Sequence, residues 1–303
     1  MNSNIKAHAA VLAGNFFFGA GVVAVKHLIP DVMPPLALNV LRVGVALILF
    51  WFMFLLKPTT ASIKKKHVPL FLLCAITGIV INQILFIKGT SLTSGIHTSL
   101  LALSTPIAIT IFAFFLLKQK PNITKIAGLV LGIAGALVLI LVKNIAEADS
   151  SVKGDLLIIG NAISYALYLV IVTPLMESYK PIHVIRWVFL FGACFIIPIG
   201  FNDFTKINWQ YFLWHHWFAL GFMVIGSTFL SYLSMVYGIA KLGASTVASY
   251  IYTQPVFATI TSMILFGEKI TLVKIIAALL IFSGVYLVNK KITPAIENSI
   301  EKV

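Results

Sequence analysis

Residues 101–110 read LALSTPIAIT and residues 250–259 read YIYTQPVFAT. Each stretch lies inside a long apolar run, and each has a proline at its sixth position, Pro106 and Pro255. Sliding the chain on itself by 149 residues pairs these prolines, and with them Gly89 with Gly238, Thr110 with Thr259 and Gly135 with Gly284. Lys120 then meets Lys269, and Lys125 meets Lys274. Matching Leu or Ile would carry little weight in so apolar a chain; matching Pro, Gly and Lys carries more. Proline removes a backbone donor and clashes with the preceding turn, so both runs are expected to kink at the same relative place. The carbonyls around Ala102 and Ile251 should lose their helical partners, leaving them to a Ser or Thr hydroxyl, to water or to a bound molecule.

Composition sets the medium. Of 303 residues, 60% are hydrophobic and 10% charged, and the mean hydropathy is +1.02. Soluble domains carry about 25% charged residues, so the chain reads as an all-α polytopic membrane protein. Ten apolar runs, at 8–29, 34–56, 68–88, 92–117, 123–142, 155–176, 182–201, 211–237, 243–266 and 271–289, suit transmembrane helices. About 20 residues cross a hydrocarbon core of about 30 Å. The first run is longer than the apolar region of a cleaved signal peptide. Cys74 and Cys194 lie inside runs, so neither a disulfide framework nor a metal-ligand spacing is expected, and no cofactor or metal is called for. A net charge of +13 would suggest nucleic acid in a soluble protein. Loop lysines account for it here, and no nucleic-acid or obligate protein partner is expected, only membrane lipid and a small molecule.

Counted over alternate loops, one side of the membrane holds thirteen lysines and the other seven, with Lys64, Lys65 and Lys66 clustered on the richer side. The positive-inside rule then places both termini in the cytoplasm, in the cytoplasmic (inner) membrane. Trp209, Tyr211, Trp214 and Trp217 would lie at the outer interface, where amphipathic rings are favoured. Each repeat has five helices, and an odd number inverts the second copy. The expected units are a first repeat over 1–143, a polar linker over 144–153, a second repeat over 154–291 and a polar cytoplasmic tail over 292–303. Inverted repeats with helices broken at matching places point to a secondary transporter with its site at the repeat interface.

Polar side chains avoid lipid, so their clustering marks inward faces. The fourth run has Ser94, His97, Thr98, Leu101 and Thr105 on one stripe, and the ninth has Gly243, Thr246, Val247, Tyr250 and Gln254. The first has Asn15, Phe18, Gly19, Val22 and Lys26; the sixth has Asn161, Ser164, Tyr165 and Tyr168. Asn82 and Gln83 mark the third, and Ser227, Thr228, Ser231 and Tyr232 the eighth. The fifth carries Gly128, Gly132 and Gly135, a small-residue face for close helix contact. Helices 1, 3, 4, 6, 8 and 9 are therefore expected to surround a central cavity. Asn15, Asn82, Gln83, His97 and Gln254 would orient a substrate, and Tyr165, Tyr168, Tyr232 and Tyr250 would wall it. Interhelical bonding without a cavity, as in a membrane sensor or assembly subunit, is the alternative.

All nine acidic residues fall in loops or at helix ends. A mid-membrane carboxylate is the usual proton or cation carrier of a coupled antiporter, so facilitated efflux or exchange fits better. His97 is the side chain near the core whose ordinary titration range suits proton coupling. Arg42 lies deep in the second run. It would cap carbonyls between helices or, alternatively, hold a substrate carboxylate or phosphate in its planar fork. Lys26, Lys88 and Arg186 lie near enough to helix ends to snorkel. An organic-anion or sugar-phosphate carrier using Arg42 and Lys88 is a second alternative. The chain has no phosphate-binding glycine loop, no His-Glu-x-x-His and no Gly-x-Ser-x-Gly, so no enzyme chemistry is expected.

Gly267-Glu268-Lys269-Ile270-Thr271, followed by a small-residue helix reaching Gly284, resembles the closing motif of EamA-type transporters of the drug/metabolite transporter superfamily. Gly14-Asn15-Phe16 through Lys26, then Arg42, resembles the opening of the first EamA repeat. Leu103-Ser104-Thr105-Pro106 and Tyr252-Thr253-Gln254-Pro255 resemble the paired proline motifs of its halves. The likeness runs from about residue 8 to 289. Gln119 stands where the family often has Glu, and Tyr165 where it often has Trp. The resemblance implies ten helices in two inverted repeats around a cavity, and transport, often export, of amino acids or other small metabolites. A secondary transporter moving a small polar metabolite by alternating access is the expectation.

Overall fold

A computed structural model describes residues 3–56, 62–116, 123–141, 151–242, 247 and 250–289, and among them all regular structure is helical. Ten helical rods follow the ten apolar runs. They are α1 (Ser3–Leu28), α2 (Pro35–Leu56), α3 (Lys65–Leu92), α4 (Gly95–Ala102 and Ser104–Leu116) and α5 (Ile123–Leu141). The second half has α6 (Val152–Ile171 and Thr173–Ser178), α7 (Pro181–Phe204), α8 (Trp214–Gly221, Phe222–Leu230 and Ser231–Leu242), α9 (Tyr250–Thr253 and Gln254–Phe266) and α10 (Leu272–Asn289). Rods α1, α2, α3, α6, α7 and α8 are each long and apolar enough to cross a membrane unaided. Gly243, Thr246, Gln119, Lys120, most of the expected linker and the whole expected tail lie outside the described residues.

The two prolines stand at breaks rather than mid-helix. Leu103 interrupts α4, and Pro106 falls in the first turn of the segment that follows. In α9 a 3-10 turn over Tyr250–Thr253 precedes the segment opened by Gln254 and Pro255. A proline in the first turn forfeits only a donor that would have had no helical partner. Of the three ways to satisfy the freed carbonyls, a threonine hydroxyl is used at Ala102, and in the second repeat a threonine bonds the carbonyl next to that of Ile251. Thr105 Oγ1 donates to the Ala102 carbonyl at 2.8 Å, and Thr253 Oγ1 donates to the Tyr250 carbonyl at 2.7 Å. The second is one residue earlier than expected from Ile251. Pro174 sits after a third break among the described residues, at Val172 in α6.

The fourth run was expected to begin at residue 92, but Leu92 is the last residue of α3. Gly89 does not end that helix, because it serves packing: a Cβ there would lie 2.6 Å from Ile158 Cδ1 of α6. Ser94 is consequently a helix cap rather than part of the α4 stripe, and its Oγ accepts the His97 amide at 3.1 Å. The repeat symmetry reaches a feature no pattern predicted. Ile76–Ile81 of α3 and Phe222–Leu230 of α8 are wound as π-helix, and the 149-residue offset carries the first onto the second. Each ends just before a polar pair, Asn82 with Gln83 and Ser231 with Tyr232, of which Ser231 is expected only as part of a polar stripe. In α8 the wider turn is held by hydroxyls, since Thr228 donates to the Met223 carbonyl at 2.9 Å and Ser231 lies 3.0 Å from that of Gly226.

Helices α5 and α10 cross through glycine, as the small-residue face implied. A Cβ on Gly284 would lie 2.5 Å from the Gly132 amide nitrogen and 2.6 Å from the Gly128 carbonyl oxygen. Their far sides, with Val130, Leu137, Leu279 and Tyr286, are exposed and suit lipid. Arg186 departs from its expected snorkelling. It is buried, with its guanidinium 3.9 Å from the Phe54 ring centroid and 4.9 Å from that of Trp51, and it donates to His183 Nδ1 at 3.1 Å.

Candidate functional site

A buried polar cluster is built on α2, α3, α6 and α8. Arg42 of α2 is 3% exposed; its Nε donates to Thr228 Oγ1 at 3.0 Å, and its guanidinium lies 5.9 Å from the Phe86 ring centroid. Among the described residues no carboxylate pairs with it, and its Nη1 has no hydrogen-bond partner. Gln83 lies beside the Tyr232 hydroxyl, and its Oε1 is left without a partner. Tyr165 and Tyr168 stack with centroids 5.8 Å apart, both beside Tyr232. Gly78 in the π segment of α3 admits this stack, since a Cβ there would reach within 2.6 Å of the Tyr168 ring. Phe18 and Phe189 set their edges against Tyr232 at 5.6 and 5.1 Å.

Four expected site residues therefore converge: Gln83, Tyr165, Tyr168 and Tyr232. Helix α2, omitted from the expected ring of six, brings the positive charge. It also brings Asn39, fully buried with both amide atoms unpartnered. Asn39 precedes Arg42 by three residues, so the two share a helix face; that spacing was the available signal. Buried polar groups in folded proteins nearly always find a partner, so a cluster of unsatisfied ones calls for an explanation.

The other expected residues are engaged elsewhere. Asn82 and Asn161 exchange bonds with each other's backbone carbonyl, at 3.3 and 2.9 Å, clamping α3 to α6. Asn15 Oδ1 accepts from Gln254 Nε2 at 2.8 Å, so these two satisfy each other across the repeats. Tyr250 lies near the start of α1, its hydroxyl 2.8 Å from His8 Nδ1. His97 lies at the opposite end, its Nδ1 3.2 Å from both Asp155 oxygens in the first turn of α6. Neither belongs to the central cluster. Lys88 is exposed near the end of α3, away from the burial that surrounds Arg42.

Polar contacts between helices tie the described residues together at each end. At one, His8 of α1 meets Tyr250 of α9. At the other, Glu268 accepts the Gly95 and Ile96 amides at 2.8 and 3.1 Å and stands 3.9 Å from Lys26 Nζ. Lys26 does not snorkel; it donates to the Thr93 carbonyl at 3.2 Å, and Thr93 Oγ1 donates to Asp155. Asp155 follows His8 by 147 residues, close to the repeat offset, so the two contacts use similar places in α1 and α6, while the position equivalent to Tyr250 is Leu101 and not His97. A cavity of about 410 Å³ lies to one flank, between α4, α9 and α10, walled by Leu100, Pro255, Val256, Ile260, Met263 and Phe282 among others. Its lining suits an acyl chain better than a polar solute.

This architecture has known relatives. A Bacillus subtilis (strain 168) protein described as the uncharacterized transporter YetK is 24% identical over 303 residues, covering 95% of this chain and 88% of its own length. The uncharacterized transporter YoaV of the same organism is 26% identical, with 93% and 96% covered. The protein WALLS ARE THIN 1 of Arabidopsis thaliana is 26% identical, with 94% and 82% covered. A solved crystal structure matches with a TM-score of 0.62 at 18% identity, over 93% of this chain and 96% of that one, a likeness of fold. The EamA-like transporter family model matches twice, at residues 5–141 and 152–290, with one proline of the pair inside each match. The chain is thus a multi-pass membrane transporter and belongs to the EamA-like transporter family.

Proposed function

We propose that this transporter moves a small polar metabolite bearing a carboxylate, an amino acid or similar, across the cytoplasmic membrane by alternating access, as efflux or exchange with both termini cytoplasmic. The observation that carries this reading is Arg42, a buried guanidinium without a protein carboxylate and with Nη1 unpartnered. An uncompensated buried charge costs several kcal/mol. A substrate carboxylate held by the planar fork would offset that cost and orient the rest of the molecule. Gln83, Tyr232 and Asn39 then offer hydrogen bonds, and the stacked Tyr165 and Tyr168 bound its size. Lys88 is exposed, so a sugar phosphate, which favours paired cations, fits less well than a carboxylate. The polar contacts at the two ends are ones that water can replace, which suits alternate opening. Pro106 and Pro255, each at a break between helical segments, are suited to act as hinges.

The test is transport by purified protein in liposomes against a panel of amino acids, organic acids and nucleosides. Arg42→Gln should reduce carboxylate transport by more than about tenfold, equivalent to roughly 1.4 kcal/mol, with membrane insertion retained. Arg42→Lys should recover part of it. Transport unchanged in Arg42→Gln would remove the carboxylate from the reading. Uptake that strictly requires an imposed pH gradient, and is lost in His97→Ala, would overturn the uncoupled mechanism.

A further inference from the structure

Three histidines used by neither the central cluster nor the end contacts come together from distant parts of the chain. His27 lies in the last turn of α1, while His215 and His216 lie in the first turn of α8. The His27 ring centroid is 5.2 Å from that of His215 and 5.3 Å from that of His216, and the latter two are 4.1 Å apart. One ring nitrogen from each lies within 4.8 Å of the others. His215 and His216 are half-buried and His27 is the most open of the three, and aromatic edges brace the pair on α8: Trp214 against His215 at 5.7 Å and Phe212 against His216 at 5.9 Å.

We propose that His27, His215 and His216 form a binding site for a divalent transition-metal cation of the zinc class, bridging the two repeats. Imidazole nitrogen suits zinc, copper and nickel, whereas magnesium and calcium prefer oxygen. A zinc–nitrogen bond of about 2.0–2.1 Å sets tetrahedral ligand nitrogens roughly 3.3 Å apart. The observed cluster reaches that by side-chain rotation of about an ångström, with water in the fourth position. One bond competes: the Leu213 amide donates to His216 Nδ1 at 3.2 Å. Coordination through Nδ1 takes over that lone pair, and coordination through Nε2 puts the ring proton on Nδ1. The capping bond is lost either way, but at this length it is weak beside a metal–imidazole bond. The two ligands on α8 are adjacent and the third comes 188 positions earlier than His215, which is why no metal-ligand spacing is visible along the chain.

Full-length protein, purified through a tag free of histidine and placed in lipid nanodiscs, is stripped with EDTA, exchanged into chelator-free buffer and titrated with Zn²⁺. About one zinc per chain should bind saturably in the micromolar range, with a rise in thermal midpoint because binding favours the folded state. Mg²⁺ and Ca²⁺ should produce neither effect. His27→Ala, and His215→Ala combined with His216→Ala, should each weaken binding more than about tenfold. Should either variant fail to fold, X-ray absorption at the zinc edge of the unaltered protein decides, with imidazole nitrogens at about 2.0 Å expected. No saturable binding up to millimolar zinc, full affinity in a folded His27→Ala protein, or an absorption spectrum dominated by oxygen would overturn the site. None of these readouts depends on transport, so failure of the metal site and failure of the transport reading are distinguishable.

Discussion

Glu268 shows how much one residue joins. It lies in the turn after α9, yet its two oxygens accept the amides of Gly95 and Ile96 that open α4. A carboxylate there satisfies donors that the helix leaves unpaired and complements the helix dipole. Glu268→Gln keeps an acceptor but drops the charge facing Lys26, and is expected to cost roughly 1 kcal/mol. Glu268→Ala should cost about twice that on the same grounds. The check is the thermal midpoint in detergent, read by scanning fluorimetry. Equal midpoints for all three proteins would show that the contact adds nothing to the fold. The sequence marked Glu268 as part of a closing motif and did not reveal that it caps a helix in the other repeat. Arg42 was legible as a deep charge for the same reason that its partners were not: residue type reads along the chain, while contacts form across it.

Among elements, helix existence and order were plain from the apolar runs, and winding was not. The π segments of α3 and α8 have no distinct periodicity in the sequence. They depend on where hydroxyls and neighbouring helices take up backbone groups. Ser231 Oγ lies 2.9 Å from the Gly14 carbonyl of α1 as well as 3.0 Å from that of Gly226, so packing against α1 helps to set the turn. The α5–α10 crossing was better signalled, because only glycine allows such an approach. Gly284→Val would force a side chain into the Gly128–Gly132 backbone, at an expected cost of about 1–3 kcal/mol. Leu279→Val, on an exposed face of α10, should be nearly neutral. Fluorescence-detected size exclusion after heating would compare them. Similar melting of both variants would mean that the crossing yields easily.

For the molecule as a whole, alternating access predicts that neither end contact is permanent. In a background lacking Cys74 and Cys194, His8→Cys with Tyr250→Cys, or Thr93→Cys with Asp155→Cys, is joined by a short thiol cross-linker that a reducing agent cleaves. Each cross-link alone should stop transport, and reduction should restore it. Transport continuing through a complete cross-link at either place would show that this end need not open.

The sequence by itself determined the medium, the number and order of the helices, the duplication and the positions of both breaks. These follow from composition, from the length needed to cross a bilayer, and from proline's missing donor, all local properties. Tertiary structure decided which polar side chains meet. Asn15 and Gln254 are 239 positions apart, and Gly95 and Glu268 are 173 apart. A helical period tells which face a side chain occupies, and not which helix that face will meet. That is why Asn82, His97 and Tyr250 look like site residues in the sequence and join helices in the structure. It is also why Asn39 comes unannounced beside Arg42, whose depth and candidate role as an anion contact could be read from the sequence. Pro106 and Pro255 mark by their chemistry where a helix segment starts; what surrounds them is settled by packing.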